Sequence, residues 1–236
     1  MEGKRLKALT FSYDDGVTQD IRLIELFNKY GMKATFNLNS SLQGRPNTLI
    51  REGQTINHNR IPLADIKAVY EGHEIAAHTM HHPFLPEKSE KEIIKEVEKD
   101  RITLSEICGY EVEGFAYPGG GKNYDERVSR IIRENTGVKY CRTTVSNHSF
   151  LKQEDLYEFK PTVYHHSEWD KMFSLGEEFL NMKASEPAMF YVWGHSYEFD
   201  IHSTWEKFEE FLKMMSGRDD VAYITNKEAL LTKWYE

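Results

Sequence analysis

Short apolar runs that close in polar turns recur along this chain, with stretches of helical spacing between them. Leu6 to Tyr13 mixes Leu, Ala, Thr and Phe with little charge, as a strand buried on both faces does. After an Asp-Asp-Gly turn, Ile21, Ile24, Leu26 and Phe27 recur near helical spacing, Gly31 supplies a C-cap, and Lys33 to Leu38 is the next strand. The opening is therefore β-α-β, the unit of a parallel sheet or barrel. The same alternation continues through strands at Glu74 to Ala77, Gly114 to Tyr117, Val138 to Thr144, Phe159 to Tyr164, Ala188 to Trp193 and Val221 to Thr225. The intervening helices include Ser89 to Ile107, opened by a Ser89/Glu92 capping box. No composition break divides the 236 residues, so the expected fold is α/β, a distorted (β/α) barrel of about seven strands in a single domain over residues 1–236. Asn39 to Arg60 is polar, has no clear period and reads as a long functional or mobile loop with His58 in solvent.

In barrels and open α/β sheets, chemistry collects outside the carboxyl ends of the strands. Two clusters fall there. Asp14-Asp15-Gly16 closes the first strand, and His78-Thr79-Met80-His81-His82 closes the third. A catalytic divalent ion needs protein ligands that leave a position open, typically two His and a carboxylate. His78 and His82 would share a face of one helical turn, His78 and His81 at spacing three are an alternative, and Asp15 can supply the oxygen. Adjacent Asp residues at a strand end point apart, so one ligand and one base is the more economical reading. Other placements are weaker: His165-His166 at the rim or in the core, Trp193, Tyr117 and Trp169 as stacking surfaces, and Tyr197, Phe199 and His202 as one wall.

Net charge of −8 and interspersed cations disfavour a nucleic-acid partner. Neither a leader-like apolar stretch near the start nor a membrane-length apolar run is present, so the expectation is a cytoplasmic protein without a membrane partner. Cys108 and Cys141 read as buried small residues rather than a disulfide framework.

These clusters and two later ones resemble the motifs of the polysaccharide deacetylase family, also called NodB-homology or carbohydrate esterase family 4. Thr10 to Gly16 (TFSYDDG) is similar to its first motif, which implies Asp14 as catalytic base and Asp15 as metal ligand. His78 to His82 (HTMHH) fits its second, which selects His82 over His81 and makes Thr79 a brace of the loop. Phe115 to Gly120 (FAYPGG) resembles the third and implies an oxyanion site around Tyr117, Pro118 and Gly119. Tyr191 to His195 (YVWGH) resembles the last, with His195 as general acid and Trp193 beside the substrate. Two positions depart from the pattern. The Arg that tethers the base is replaced by Ala116, and Arg142 on the next strand is the candidate substitute. The Asp–Trp pair that orients the acid appears reversed as Trp169-Asp170, which makes Asp170 the candidate for that role.

The resemblance implies a hydrolase that uses one divalent ion, zinc first, with cobalt, nickel or iron as alternatives. It would remove an N-acetyl group from an amino sugar or its polymer. The alternatives are a deacylase of a small amide, formamide or ureide, and a carbohydrate-binding barrel that has lost turnover.

Overall fold

The computed structural model describes residues 5–236. Its strands are β1 (Lys7–Asp14), β2 (Ala34–Leu38), β3 (Thr48–Arg51), β4 (Gln54–Asn57), β5 (Glu74–Ala77), β6 (Gly114–Ala116), β7 (Tyr140–Arg142), β8 (Val163–Tyr164), β9 (Ala188–Gly194) and β10 (Val221–Tyr223). Its helices are α1 (Asp20–Lys29), α2 (Ile66–Val69), α3 (Glu90–Cys108), α4 (Glu126–Asn135), α5 (Trp169–Asn181), α6 (Glu198–Ile201), α7 (Trp205–Met215) and α8 (Asn226–Leu231). No helix among the described residues is long and apolar enough to cross a membrane.

Seven strands pair in the order β7-β6-β5-β2-β1-β9-β8, every pair parallel, and β10 adds to the early half of β1. The sheet curls into a distorted barrel. Phe159 pairs with Arg142 of β7, and Thr162 donates its N–H to Tyr191 of β9, so the stretch between them spans the remaining gap. The strand expected over Phe159 to Tyr164 shortens to Val163–Tyr164. Pro161 has no N–H to contribute to a ladder.

Side-chain alternation sorts β1 cleanly. Leu9, Phe11 and Tyr13 point to the helical layer, where Phe11 packs on Phe27 of α1 with ring centroids 4.8 Å apart. Thr10, Ser12 and Asp14 have the opposite parity and are just as buried. They join a hydrogen-bonded interior: Asn226 Nδ2 donates to Thr10 Oγ1 at 2.7 Å, Tyr191 Oη to Asn226 Oδ1 at 2.7 Å, and Tyr140 Oη to Glu74 Oε1 at 2.8 Å. These buried groups satisfy one another, which removes most of their desolvation cost. Helix α3 is opened by the Ser89/Glu92 capping box and closed by Gly109 in the left-handed region, φ 79°. Both cysteines are buried and unbridged.

Residues 39–60 are more ordered than their sequence suggests, because β3 and β4 form an antiparallel hairpin within them. Of its eight strand residues only Ile56 is buried and Leu49 half-buried, too little alternation to mark a strand. The turn is Glu52-Gly53, both left-handed at φ 51° and 76°, which suits the twist of a two-residue hairpin.

Candidate active site

Register alone brings the chemistry together. Asp14 lies opposite Asn37 on β2, while Tyr13 lies opposite Gly194, so His195 follows directly on the neighbouring strand. Leu38 pairs with Ala77, placing His78 just beyond the same edge, and Ala116 pairs with Arg142. A cavity of about 640 Å³ opens there, lined among others by Asp14, Asp15, His78, His82, Gly119, Trp193 and His195.

Asp14 is held on both carboxylate oxygens. Arg142 Nη2 donates to Oδ1 at 2.6 Å and Oδ2 at 2.5 Å, and Asn37 Nδ2 donates to Oδ1 at 2.7 Å. Arg142 is fully buried and its guanidinium lies 4.5 Å from the Trp193 ring centroid, a cation–π contact that fixes its plane. The position of the absent third-motif Arg is thus filled from β7.

Asp15, His78 and His82 each present a ligand atom, all within 4.8 Å of one another. His78 is hydrogen-bonded through Nδ1 to the Ala116 carbonyl at 2.8 Å, so its Nε2 faces the cluster. That Nε2 is buried without a hydrogen-bond partner, which is costly for a polar atom unless a cation takes it up, and Asp15 Oδ1 has no hydrogen bond beside its ion pair with Arg60. Burial pushes His78 down to about 4 and lowers His82 as well, leaving both imidazoles neutral with lone pairs free. The donor set fits a divalent cation. His81 points outward, its Nδ1 2.9 Å from Glu96 Oε1.

Backbone strain shapes this cluster. Asp15, Thr79 and His82 all have left-handed φ values, 86°, 69° and 56°, each costing on the order of 1 kcal/mol. Residues 78–82 form no helical turn of the kind their spacing suggests, and bends fall only at Met80 and His81. Asn39 Nδ2 donates to the carbonyls of His78 and Thr79 at 2.6 and 2.9 Å, Asp100 Oδ2 accepts from His78 N at 2.9 Å, and Thr79 Oγ1 accepts from His82 N at 3.0 Å. After Asp15 only glycine fits: a Cβ on Gly16 would lie 2.6 Å from Leu38 Cδ2.

Two residues of the expected loop reach this centre. His58 is 3% exposed instead of solvated, and its Nε2 lies 3.1 Å from Asp15 Oδ2. Arg60 pairs with Asp15 Oδ1 at 3.2 Å and also bonds the Asp15 carbonyl. Burial would raise the Asp15 carboxyl, but His58, Arg60, His195 and His82 together hold it well below the carboxylate range.

His195 Nε2 faces Asp14 Oδ2 at 4.0 Å, and its Nδ1 is bonded to Glu198 Oε1 at 3.0 Å. Glu198 Oε2 also accepts from His195 N and is hydrogen-bonded to His165 Nε2, both at 2.9 Å, and Tyr13 Oη completes the chain at His165 Nδ1, 3.0 Å. Burial disfavours the imidazolium, yet Glu198, Asp14 and Asp15 outweigh it and push His195 up to about 9. The orienting carboxylate is therefore Glu198. Asp170, expected in that role, is fully exposed on α5 with only Lys207 nearby, 3.9 Å away. Trp169 stacks on His165 at 5.8 Å, inside the helical layer.

The third motif divides. Gly119 lines the cavity with φ 83°. Tyr117 does not reach it: its N–H donates to the Arg142 carbonyl at 3.1 Å, its hydroxyl to the Tyr157 carbonyl at 2.9 Å, and its ring is fully buried against Tyr124. Pro118 has no N–H to offer. Trp193 lines the cavity, stacked on Tyr164 at 4.3 Å.

Comparison with known proteins agrees with this geometry. The family model "Polysaccharide deacetylase" matches residues 2–141. The peptidoglycan-N-acetylmuramic acid deacetylase PdaC of Bacillus subtilis (strain 168) is 30% identical over 128 residues, 53% of this chain and 24% of PdaC, so the chain spans about a quarter of that relative. The Xyl-CE4 domain of a multidomain xylanase from the hindgut metagenome of Trinervitermes trinervoides superposes with a TM-score of 0.57 at 16% identity, covering 96% of this chain and 90% of the domain. A family 4 acetyl xylan esterase from Clostridium thermocellum, in complex with a cobalt ion, gives 0.55 at 14% identity, with 95% and 90% covered. At such identities these superpositions show a shared fold. With the family model matching more than half of its length, and with the first two motifs at the carboxyl edge of the barrel, this chain belongs to the polysaccharide deacetylase family.

Proposed function

We propose that this protein is a metal-dependent amidohydrolase that removes the N-acetyl group of an amino sugar, within a saccharide chain or at its end. The observation that carries this reading is the grouping of a clamped carboxylate, Asp14, a His-His-Asp cluster in which the buried His78 Nε2 has no partner, and a proton-rich His195 around one cavity. Members of the family use a divalent metal. Asp15, His78 and His82 would hold the ion, and zinc suits two imidazoles and a carboxylate, with cobalt, nickel and iron as alternatives. Once bound, it supplies a Lewis acid that polarises the acetyl carbonyl and acidifies water.

The remaining work falls to side chains. Asp14 accepts the proton of the attacking water, and Arg142 and Asn37 keep its carboxylate aimed at the cavity. The N–H of Gly119, on the cavity wall, is the donor for the developing oxyanion. His195 carries a proton at neutral pH and delivers it from Nε2 to the departing nitrogen, since an amine leaves only when protonated. Glu198 positions that imidazole through Nδ1 and stabilises its charge. The barrel that binds without turnover loses its motive, because Arg142 supplies the tether whose absence suggested it.

The test is acetate release from acetylated chito-oligomers, and from simple acetamides, by protein reconstituted with zinc or cobalt. Asp14→Asn must abolish release. Unchanged release from that variant would remove Asp14 as base and the reading with it.

A further inference from the structure

The hairpin β3–β4 is not used by the chemistry above, yet it forms part of the cavity wall through Asn47, Leu49 and Arg51. It is pinned at its turn. Glu52, at its turn, accepts from His166 Nε2 at 3.1 Å and His202 Nε2 at 2.7 Å, and these two imidazoles stack on one another at 6.0 Å. His166 follows β8 and His202 follows α6, so the hairpin tip is tied to the segments after those two elements, and its neighbour Arg51 lines the cavity.

The charges of the cavity do not cancel. Asp14 is answered by Arg142, Asp15 by Arg60 and Glu198 by His195. Arg51 lines the same cavity and makes no side-chain hydrogen bond or ion pair among the described residues. A divalent ion adds further positive charge. A protein of net charge −8 thus presents a cavity with an unanswered guanidinium at its rim, and low-dielectric walls focus that field.

We infer that Arg51 is a specificity residue: it binds an anionic substituent, carboxylate or phosphate, of an acetamido sugar whose acetyl group sits in the cavity over Asp14 and His195. A guanidinium matches either anion in a bidentate fork, which a neutral sugar cannot exploit. Tyr197 packs on the hairpin in one apolar cluster with Ile56 and half-buried Leu49, and it lines the cavity together with Arg51.

The inference rests on the deacetylase reading, and the experiment separates the two. Steady-state rates of zinc-loaded wild type, Arg51→Ala and Arg51→Lys are compared on N-acetylmuramic acid, N-acetylglucosamine 6-phosphate and N-acetylglucosamine. Wild type should favour one acidic sugar over the neutral one, and whichever is favoured identifies the anion. In Arg51→Ala the ratio of acidic to neutral kcat/KM should fall about tenfold or more through KM, with partial recovery in Arg51→Lys. Calorimetry of muramic acid against glucosamine on the same proteins reads the anion site without turnover. Arg51-dependent binding of muramic acid with no acetate release from any sugar supports the anion site and sinks the deacetylase reading. Turnover with a ratio unchanged by Arg51→Ala, or no acidic preference in wild type, overturns the inference alone.

Discussion

Arg142 and Asp14 lie 128 positions apart in sequence and meet through a single nitrogen, Nη2, that contacts both carboxylate oxygens at 2.6 and 2.5 Å. Both side chains are almost wholly buried, at 1% and 3% exposure, so neither charge has water to fall back on. Removing the cation from such a pair leaves an uncompensated carboxylate, which costs about 3–5 kcal/mol. Arg142→Ala should therefore lower thermal stability and reduce kcat, because the carboxylate that must face the attacking water loses the clamp on both its oxygens. Arg142→Lys should recover part of both effects. An unchanged kcat in Arg142→Ala would show that Arg142 does not position the base.

Glu198 does for the acid what Arg142 does for the base. With its charge removed in Glu198→Gln, the imidazole of His195 loses the largest influence sustaining its pKa near 9. The basic limb of the rate profile, where the acid loses its proton, should move down by at least one pH unit while the acidic limb stays. Activity at neutral pH should fall by up to about a hundredfold, the lower end of general-acid contributions. Asp170→Asn serves as the contrast and should leave the profile in place, since Asp170 faces solvent.

How far the sequence could be read depended on how local each signal was. The strand-end clusters at Asp14-Asp15 and His78-His82 were legible because a parallel sheet fixes where strands end, and register then brings those ends together. Arg142 could be nominated as a substitute tether for the same reason, one strand along. Glu198 escaped because its signal is only a three-residue spacing from His195 at the start of a four-residue helix. His58 and Arg60 escaped for a different reason. They reach Asp15 only because a hairpin with one fully buried strand residue folds back over 43 and 45 positions, and no periodicity announces such a return. Tyr117 was misplaced because the strand pairing claims its N–H and the barrel wall its ring.

Metal loading should be visible without any substrate. An ion that binds the native cluster and not the unfolded chain stabilises by about 2.7 kcal/mol at a hundred times its Kd, which is roughly 5–10 °C in Tm for a chain of this size. Chelator should reverse that gain, and His82→Ala should abolish it. His81→Ala should keep it, because His81 is turned to Glu96 on the outside. A zinc-dependent Tm shift lost in His81→Ala and kept in His82→Ala would reassign the ligand.

Asp20 provides a stability prediction independent of turnover. Its carboxylate is fully buried at the start of α1, accepting from Ser196 Oγ at 2.5 Å and Tyr70 Oη at 2.7 Å with no cation in contact. Burial pushes it up to about 7, against the two hydroxyl hydrogen bonds. The folded state thus binds this proton more tightly than the unfolded chain, whose Asp titrates near 3.9. The sign follows: the contribution is fully present below about pH 4 and is lost as pH rises toward 7, at up to about 1.4 kcal/mol per pH unit. Asp20→Asn keeps the shape and removes the titration. Its unfolding free energy, measured by urea titration from pH 4.5 to 8, should fall less steeply than that of wild type and exceed it at the upper end. Parallel curves for the two proteins would mean that Asp20 is ionised throughout, held by partners other than its two hydroxyls.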